Sequence, residues 1–332
     1  MDLSVNYLGL KLKSPIVVGS SGLTFSLDRL KQIEQAGAGA VILKSIFEEE
    51  IQNEYNNVLE QETRDDEANF EYLDYYDFKI KEDNVNKYIE FIKSAKKEIS
   101  IPLIASVNCK SSHEWTFFAK KLQDAGADAV EINLFTLPSD FSLTCEKVEQ
   151  TYIDVIKKVK EKVTIPVSVK ISCHFADMGA FVKRISQAGI DGLVLFNRFF
   201  QPDFDVDNFK VIPTNVLSSA SDVAHTLRWM SIFYGRLDCD LIASTGVHDG
   251  LSLIKVLLAG ADAAQVVSTL YKNGIGHIST MLSDLEEWMG KHGFNSIDDF
   301  RGRMSQKNSP NPAEYERVQF MKYFQDKKYD LD

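Results

Sequence analysis

Cysteine and positive charge are both scarce in this sequence. Only four cysteines occur in 332 residues, Cys109, Cys145, Cys173 and Cys239, and none forms a C-x-x-C pair. That spacing excludes the usual zinc and iron–sulfur signatures, so no metal site is expected. Isolated thiols fit a reducing compartment better than a disulfide-built secreted domain. Lysine and arginine number 37 against 48 aspartates and glutamates, a formal net charge of −11. With no basic stripe to neutralise phosphates, nucleic acid is excluded as a partner. Long apolar runs are missing as well: nothing approaches the ~20 residues that span a bilayer. The start, Met1-Asp-Leu-Ser-Val-Asn-Tyr, lacks the basic-then-apolar order of an export signal. The expectation is a cytoplasmic protein that crosses no membrane.

The negative charge is concentrated. Between Glu48 and Asp77 stand twelve acidic residues against Arg64 alone, 1 − 12 = −11, so the rest of the chain balances. The same stretch carries Tyr55, Phe70, Tyr72, Tyr75 and Tyr76, with Phe78 just beyond. So many aromatics argue against a disordered charge run. Length alone does not force two domains on 332 residues, because single β/α barrels reach this size.

A phrase repeated four times organises what is present: Gln35-Ala-Gly-Ala-Gly-Ala-Val-Ile-Leu, Asp124-Ala-Gly-Ala-Asp-Ala-Val-Glu-Ile, Gln187-Ala-Gly-Ile-Asp-Gly-Leu-Val-Leu and Leu258-Ala-Gly-Ala-Asp-Ala-Ala-Gln-Val-Val. In each, an amphipathic helix stops at a glycine able to take the left-handed cap, and an apolar strand starts within a few residues. Helix then buried strand, repeated, means parallel pairing. Two further strands open with Ile-Pro, at Ile101 and Ile165, where proline costs little. Pro15-Ile-Val-Val and Asp240-Leu-Ile-Ala complete a set of eight. The predicted fold is α/β, a single closed (β/α)8 TIM barrel over residues 1–304. Residues 3–13 alternate around Gly9 as a β-hairpin that plugs the barrel floor. Residues 305–332 form a C-terminal helical appendage, with Asn311 as cap, Pro312 at the first position and Glu314 at the third.

In such a barrel, function is written where strands stop. The ends read Gly19-Ser-Ser-Gly22, Lys44-Ser45, Asn108-Cys109, Asn133, Lys170 and Asn197-Arg198, then the hydroxyl-rich turns Ser244-Thr245-Gly246 and Ser268-Thr269. The last two turns each feed a helix and would aim N–H groups and dipole ends at one spot, as a phosphate requires; two ordinary strand-to-helix turns read the same way. Burying a lysine is costly unless it meets an anion, so Lys44 and Lys170 imply a ligand that is, or becomes, negative. A flavin fits: its reduced ring is negative at one edge, its phosphate needs a cup, and asparagines can bond its carbonyl and N–H positions. Each member also has a plainer reading, lysines that snorkel to water and amides that satisfy loops. His174 reads as a base or as a solvated loop residue. The same amines above a phosphate cup would serve a Schiff-base lyase or aldolase, and a flavin-holding protein without turnover, docking a partner on its acidic loop, is a third reading.

At these strand ends the chain resembles the FMN-dependent dihydroorotate dehydrogenases, in particular their soluble branch. The resemblance rests on Ser14-Pro-Ile-Val-Val-Gly-Ser-Ser-Gly, Leu43-Lys-Ser, Glu131-Ile-Asn-Leu, Val169-Lys, Phe196-Asn, Ser244-Thr-Gly-Val, Gly260-Ala-Asp-Ala-Ala-Gln-Val-Val-Ser-Thr and Phe294-Asn-Ser-Ile-Asp-Asp-Phe. It implies that Ser20, Ser21, Gly22, Lys44, Ser45, Asn133, Lys170 and Asn197 surround the isoalloxazine and ribityl chain. Ser218, Ser219, Thr245, Gly246, Ser268 and Thr269 would hold the phosphate. The implied reaction is oxidation of dihydroorotate to orotate, in pyrimidine biosynthesis, by hydride transfer to flavin N5. The resemblance also implies a homodimer and leaves room for a separate electron-transfer partner.

Two departures bear on the substrate. Where the family carries a Cys or Ser that removes a substrate proton, followed by Pro-Asn, this chain reads Asn133-Leu-Phe-Thr-Leu-Pro-Ser. Thr136 therefore takes the catalytic base position, with Lys44 as its catalytic companion at the ring, and Pro138 replaces a substrate-reading asparagine. The family's Leu-Pro-Asn segment after strand two is absent, and the acidic-aromatic stretch stands in its place. So negative a loop repels a carboxylate substrate unless its charges face away. A different small cyclic amide is the alternative substrate.

Overall fold

The computed structural model describes residues 1–47, 85–108, 112–134, 137–198, 201–214 and 216–316. The acidic stretch Glu48 to Asp77, Cys109, Thr136 and the tail helix beyond residue 316 lie outside the described residues.

The chain opens with the expected hairpin, β1 (Val5–Tyr7) antiparallel to β2 (Leu10–Leu12) in the register Val5↔Leu12. Leu8 and Gly9 join them with φ of 57° and 68°, a two-residue turn of the kind that suits strand twist. Eight parallel strands follow: β3 (Ile16–Val18), β4 (Ala40–Ile42), β6 (Leu103–Asn108), β7 (Ala129–Asn133), β8 (Val167–Ile171), β9 (Gly192–Leu195), β12 (Asp240–Ser244) and β13 (Ala263–Val266). β13 pairs with β3, and β4 pairs with β6 through Val41↔Leu103, so the sheet closes on itself. β5 (Ile46–Phe47) continues β4 after a break and also pairs with β6. The predicted (β/α)8 barrel is thus the observed one.

The four cap glycines of the repeated phrase, Gly37, Gly126, Gly189 and Gly260, all have positive φ. Each lets a helix stop and the chain turn at once into an apolar strand. The barrel strands are buried on both faces, β3 and β4 completely, which is why they read as continuous apolar runs. The helices lay a stripe over them; Tyr152, Ile153, Val155, Ile156 and Val159 on the helix Cys145–Lys160 are one such stripe. Each such side chain contributes ~1.5–3 kcal/mol by leaving water. No helix among the described residues is long and apolar enough to cross a membrane.

The hairpin sits under the barrel. Leu8 N–H donates to Asp240 Oδ2 at 2.7 Å, at the entry of β12. A Cβ on Gly192, the first residue of β9, would lie 2.5 Å from Leu8 Cδ2. At the other end of the chain, Tyr315 of the short helix Ala313–Glu316 donates its hydroxyl to the Met304 carbonyl at 2.7 Å.

A second hairpin was not expected: β10 (Pro202–Asp205) pairs with β11 (Lys210–Pro213) on the catalytic face. Phe204, Val206, Phe209 and Val211 on it are exposed. With no buried face in this chain, its residues carry no one-sided apolar pattern for a sequence reading to find.

Candidate active site

Side chains two apart on a strand share a face, and three strands use this to carry polar groups into an apolar barrel. β7 places Glu131 and Asn133 inward, β8 places Ser168 and Lys170, and the register aligns Glu131↔Ser168 and Asn133↔Lys170. From β13 comes Gln265, buried. Lys170 Nζ donates to Gln265 Oε1 at 3.0 Å, and Gln265 Nε2 donates to Glu131 Oε2 at 2.5 Å. Desolvation lowers the Lys170 pKa while Glu131 opposes it; desolvation likewise raises the Glu131 carboxyl, offset in part by Lys170 and Gln265. The result is a half-buried amine at the end of β8, bridged through Gln265 to a buried carboxyl group one layer below.

Around that amine the strand ends converge. Asn197 Nδ2 donates to Asn133 Oδ1 at 2.5 Å, so two predicted residues form one pair. Ser20 and Ser45 are joined twice: the hydroxyls lie 3.0 Å apart, and Ser45 N–H donates to Ser20 Oγ at 2.9 Å. Ser45 Oγ lies 2.7 Å from Ser106 Oγ, extending the chain inward. Half-buried Lys44 stands beside Ser45. Ser21 does something else: its hydroxyl caps the short helix Gly22–Thr24. Gly22 opens that turn, where a Cβ would meet Tyr271 Oη at 3.1 Å.

The six residues of the predicted phosphate cup come from three loops that touch. Ser218 N–H donates to Ser268 Oγ at 3.0 Å. Thr269 donates its hydroxyl to the His248 carbonyl at 2.8 Å, and Thr245 donates its own to the Phe196 carbonyl at 3.0 Å. Thr245 and Gly246 are both left-handed, with φ of 77° and 85°. Any Cβ on Gly246 would lie 2.0 Å from Val223 N. Ser219 caps the turn Ala220–Asp222. Most of these hydroxyls are therefore committed to shaping the loops. One expectation fails here. The helix after β12, Gly250–Ala259, is capped by Asp249, whose carboxylate accepts from Ser252 N–H, so that helix end already holds an anion and does not offer its dipole to the cup.

Beside the cup lies a cleft of about 530 Å3 lined by Phe196, Asn197, Arg198, His225 and Thr245. His174 also lines it; it is exposed, on the loop after β8. Reasoning from sequence missed Glu131, Gln265 and Lys272, the last donating to the Ser218 carbonyl at 2.7 Å. A signal existed for the first two, a charge and an amide inside strands otherwise apolar. No group of side chains suited to a metal ion occurs among the described residues.

Comparison with known proteins meets this geometry. Residues 2–289 match the family model for dihydroorotate dehydrogenase. A dihydroorotate dehydrogenase B (NAD(+)) catalytic subunit from Thermoplasma acidophilum is 26% identical over 306 residues, covering 91% of this chain and 98% of that protein. Its counterpart from Methanocaldococcus jannaschii is 27% identical over 280 residues, 82% of this chain and 88% of that protein. A chloroplastic dihydropyrimidine dehydrogenase (NADP(+)) from Arabidopsis thaliana is 24% identical over 340 residues, 92% of this chain and 77% of that protein. The chain belongs to the dihydroorotate dehydrogenase family and is an oxidoreductase acting on CH–CH bonds.

Proposed function

We propose that the protein binds FMN at its strand ends and oxidises dihydroorotate to orotate. The observation that carries this reading is Lys170, a half-buried amine at the end of β8, in register with Asn133 of the Asn133–Asn197 pair. Glu131 meets that charge only through the intervening Gln265 amide; a ring that becomes anionic would meet it directly. The residues fit FMN in two further ways. At the Thr245–Gly246 turn, where the chain runs against Val223 with no room for a side chain, main-chain N–H groups can approach a phosphate closely. The paired asparagines carry donors and acceptors that a flavin edge could use.

Bound there, FMN would supply an acceptor for a hydride at N5 and leave negative charge at the opposite ring edge. Lys170 and Lys44 would hold that edge, Ser20 and Ser45 would line the ring, and Thr245, Gly246, Ser268, Thr269, Ser218 and Ser219 would hold the phosphate. Ser21 and Gly22 shape the turn over the ring. Thr136, by its place in the sequence motif, would take the second proton from the substrate. Membership of a redox family leaves the Schiff-base lyase reading without support.

A second substrate is favoured by two features of the sequence, the acidic run Glu48 to Asp77 and Pro138 in place of a substrate-reading asparagine. An uncharged dihydropyrimidine, the class named in the Arabidopsis relative, suits that environment better. Anaerobic titration decides. Bleaching of the flavin band with formation of orotate is expected with dihydroorotate; a protein that holds full FMN yet bleaches only with an uncharged dihydropyrimidine overturns the primary reading. We further propose a cytoplasmic homodimer, supported by the isolated thiols and by the exposed apolar hairpin β10–β11. The name "catalytic subunit" in the relatives supports a separate electron-transfer partner as well.

A further inference from the structure

We infer that Glu131 and Gln265 are positioning residues for the flavin: the buried carboxylate keeps the Lys170 ammonium charged, and the amide between them fixes where that ammonium points. The inference rests on the flavin reading above. Glu131 is 1% exposed in the middle of β7, among apolar neighbours. Burial of a carboxylate is expensive unless a cation or donors meet it. Its Oε2 accepts from Gln265; its Oε1 has no hydrogen-bond partner among the described residues. So costly a group in the barrel interior calls for a role beyond packing.

Gln265 supplies the link. Its N–H side faces the carboxylate and its carbonyl faces the ammonium, the orientation that a separated pair of opposite charges selects. Gly19 leaves this amide room: a side chain there would bring its Cβ to 2.8 Å from Val267 Cγ2 and 3.5 Å from Gln265 Oε1. Below the carboxylate stand the buried hydroxyls of Tyr7 and Ser168; burial and Glu131 both hold the Tyr7 phenol well above its usual range. The titratable groups around the network are therefore Tyr7 from the hairpin, with Asp240 beyond it, and Lys170 from β8. Glu131, at the centre of these groups, favours the charged form of Lys170.

The sign of one measurement separates this role from a bare charge effect. Sulfite donates its lone pair to flavin N5 and places negative charge on the ring, so its dissociation constant reports the positive charge near that ring. If Glu131 acted only through space, Glu131→Gln would remove a repelling charge and tighten sulfite binding. If Glu131 acts through Lys170, the substitution favours loss of the ammonium proton and weakens sulfite binding, by about tenfold for one lost contact of ordinary strength. The experiment titrates sulfite into FMN-loaded wild type, Glu131→Gln, Lys170→Met and the double variant at one fixed pH, following loss of the flavin band. Weakened binding in Glu131→Gln, with little further loss when it is added to Lys170→Met, is the expected result. Tighter or unchanged binding in Glu131→Gln overturns the inference. Should that variant fail to fold, Gln265→Leu, which keeps the carboxylate and removes the link, is expected to weaken sulfite binding in the same direction, and unchanged binding there is equally fatal. A wild-type protein that takes up no FMN would instead overturn the flavin reading, and this inference with it.

Discussion

Replacing Gly246 by alanine tests the cup at its tightest point. The residue has φ of 85°, and alanine held in the left-handed region costs ~1–2 kcal/mol. Its Cβ would lie 2.0 Å from Val223 N, 2.6 Å from Asp222 C and 2.6 Å from Val223 Cα. None of these atoms is a flexible side-chain tip, so the helix start at Val223 or the turn itself must move, at ~1–3 kcal/mol. The sum is ~2–5 kcal/mol. Gly126→Ala is the control, since φ is 101° and nothing lies within 4 Å of the added methyl; only the backbone cost applies there, ~1–2 kcal/mol. Urea unfolding of both variants measures the difference, and FMN titration of the apoproteins measures its functional consequence. The larger loss of stability, together with weakened FMN binding, is expected for Gly246→Ala alone. Equal destabilisation of the two variants, or full FMN affinity in Gly246→Ala, would refute the close approach of this turn to both helix and phosphate.

Three further outcomes follow from particular contacts. Asp249→Ala removes the carboxylate that caps Gly250–Ala259 and is expected to cost ~1 kcal/mol in the same unfolding assay; no loss would mean that the cap is idle. Asp262, whose carboxyl is pushed up to about 6 by burial against the opposing Leu241 N–H and Arg301, binds its proton more tightly folded than unfolded. Its contribution is therefore present at acid pH and lost as pH rises toward 6, so wild-type stability relative to Asp262→Asn should fall between about pH 4 and pH 6 by ~2–3 kcal/mol; a flat or rising difference contradicts it. Phe204 and Val211 face each other across β10–β11 and are exposed; Phe204→Asp should convert the proposed dimer to monomer by light scattering while leaving monomer stability within ~0.5 kcal/mol. A wild-type monomer, or a variant that stays dimeric, removes the hairpin from the interface.

Much of the architecture could be read directly because parallel strands buried on both faces are apolar throughout and the helices before them end on glycine. The phrase at Gly37, Gly126, Gly189 and Gly260 carries both signals at once. Strand-end lysines and asparagines were legible for the same reason: polarity stands out at the end of an apolar run. Glu131 and Gln265 lie inside such runs and were read as part of the repeat. Hydroxyl positions could be placed, but not what each hydroxyl bonds. Ser21 and Ser219 serve as caps, and Asp249 occupies a helix end that composition alone leaves open. Distances through the closed barrel, such as Lys170 to Gln265 across 95 positions of sequence, are set by strand tilt and closure, which no local pattern encodes.

FMN binding is the central claim. The direct measurement is the visible spectrum of the purified protein, before and after incubation of the apoprotein with FMN, followed by anaerobic addition of dihydroorotate. A flavin band retained through gel filtration and bleached by substrate is the predicted result; colourless protein that passes FMN through the column unbound would contradict it.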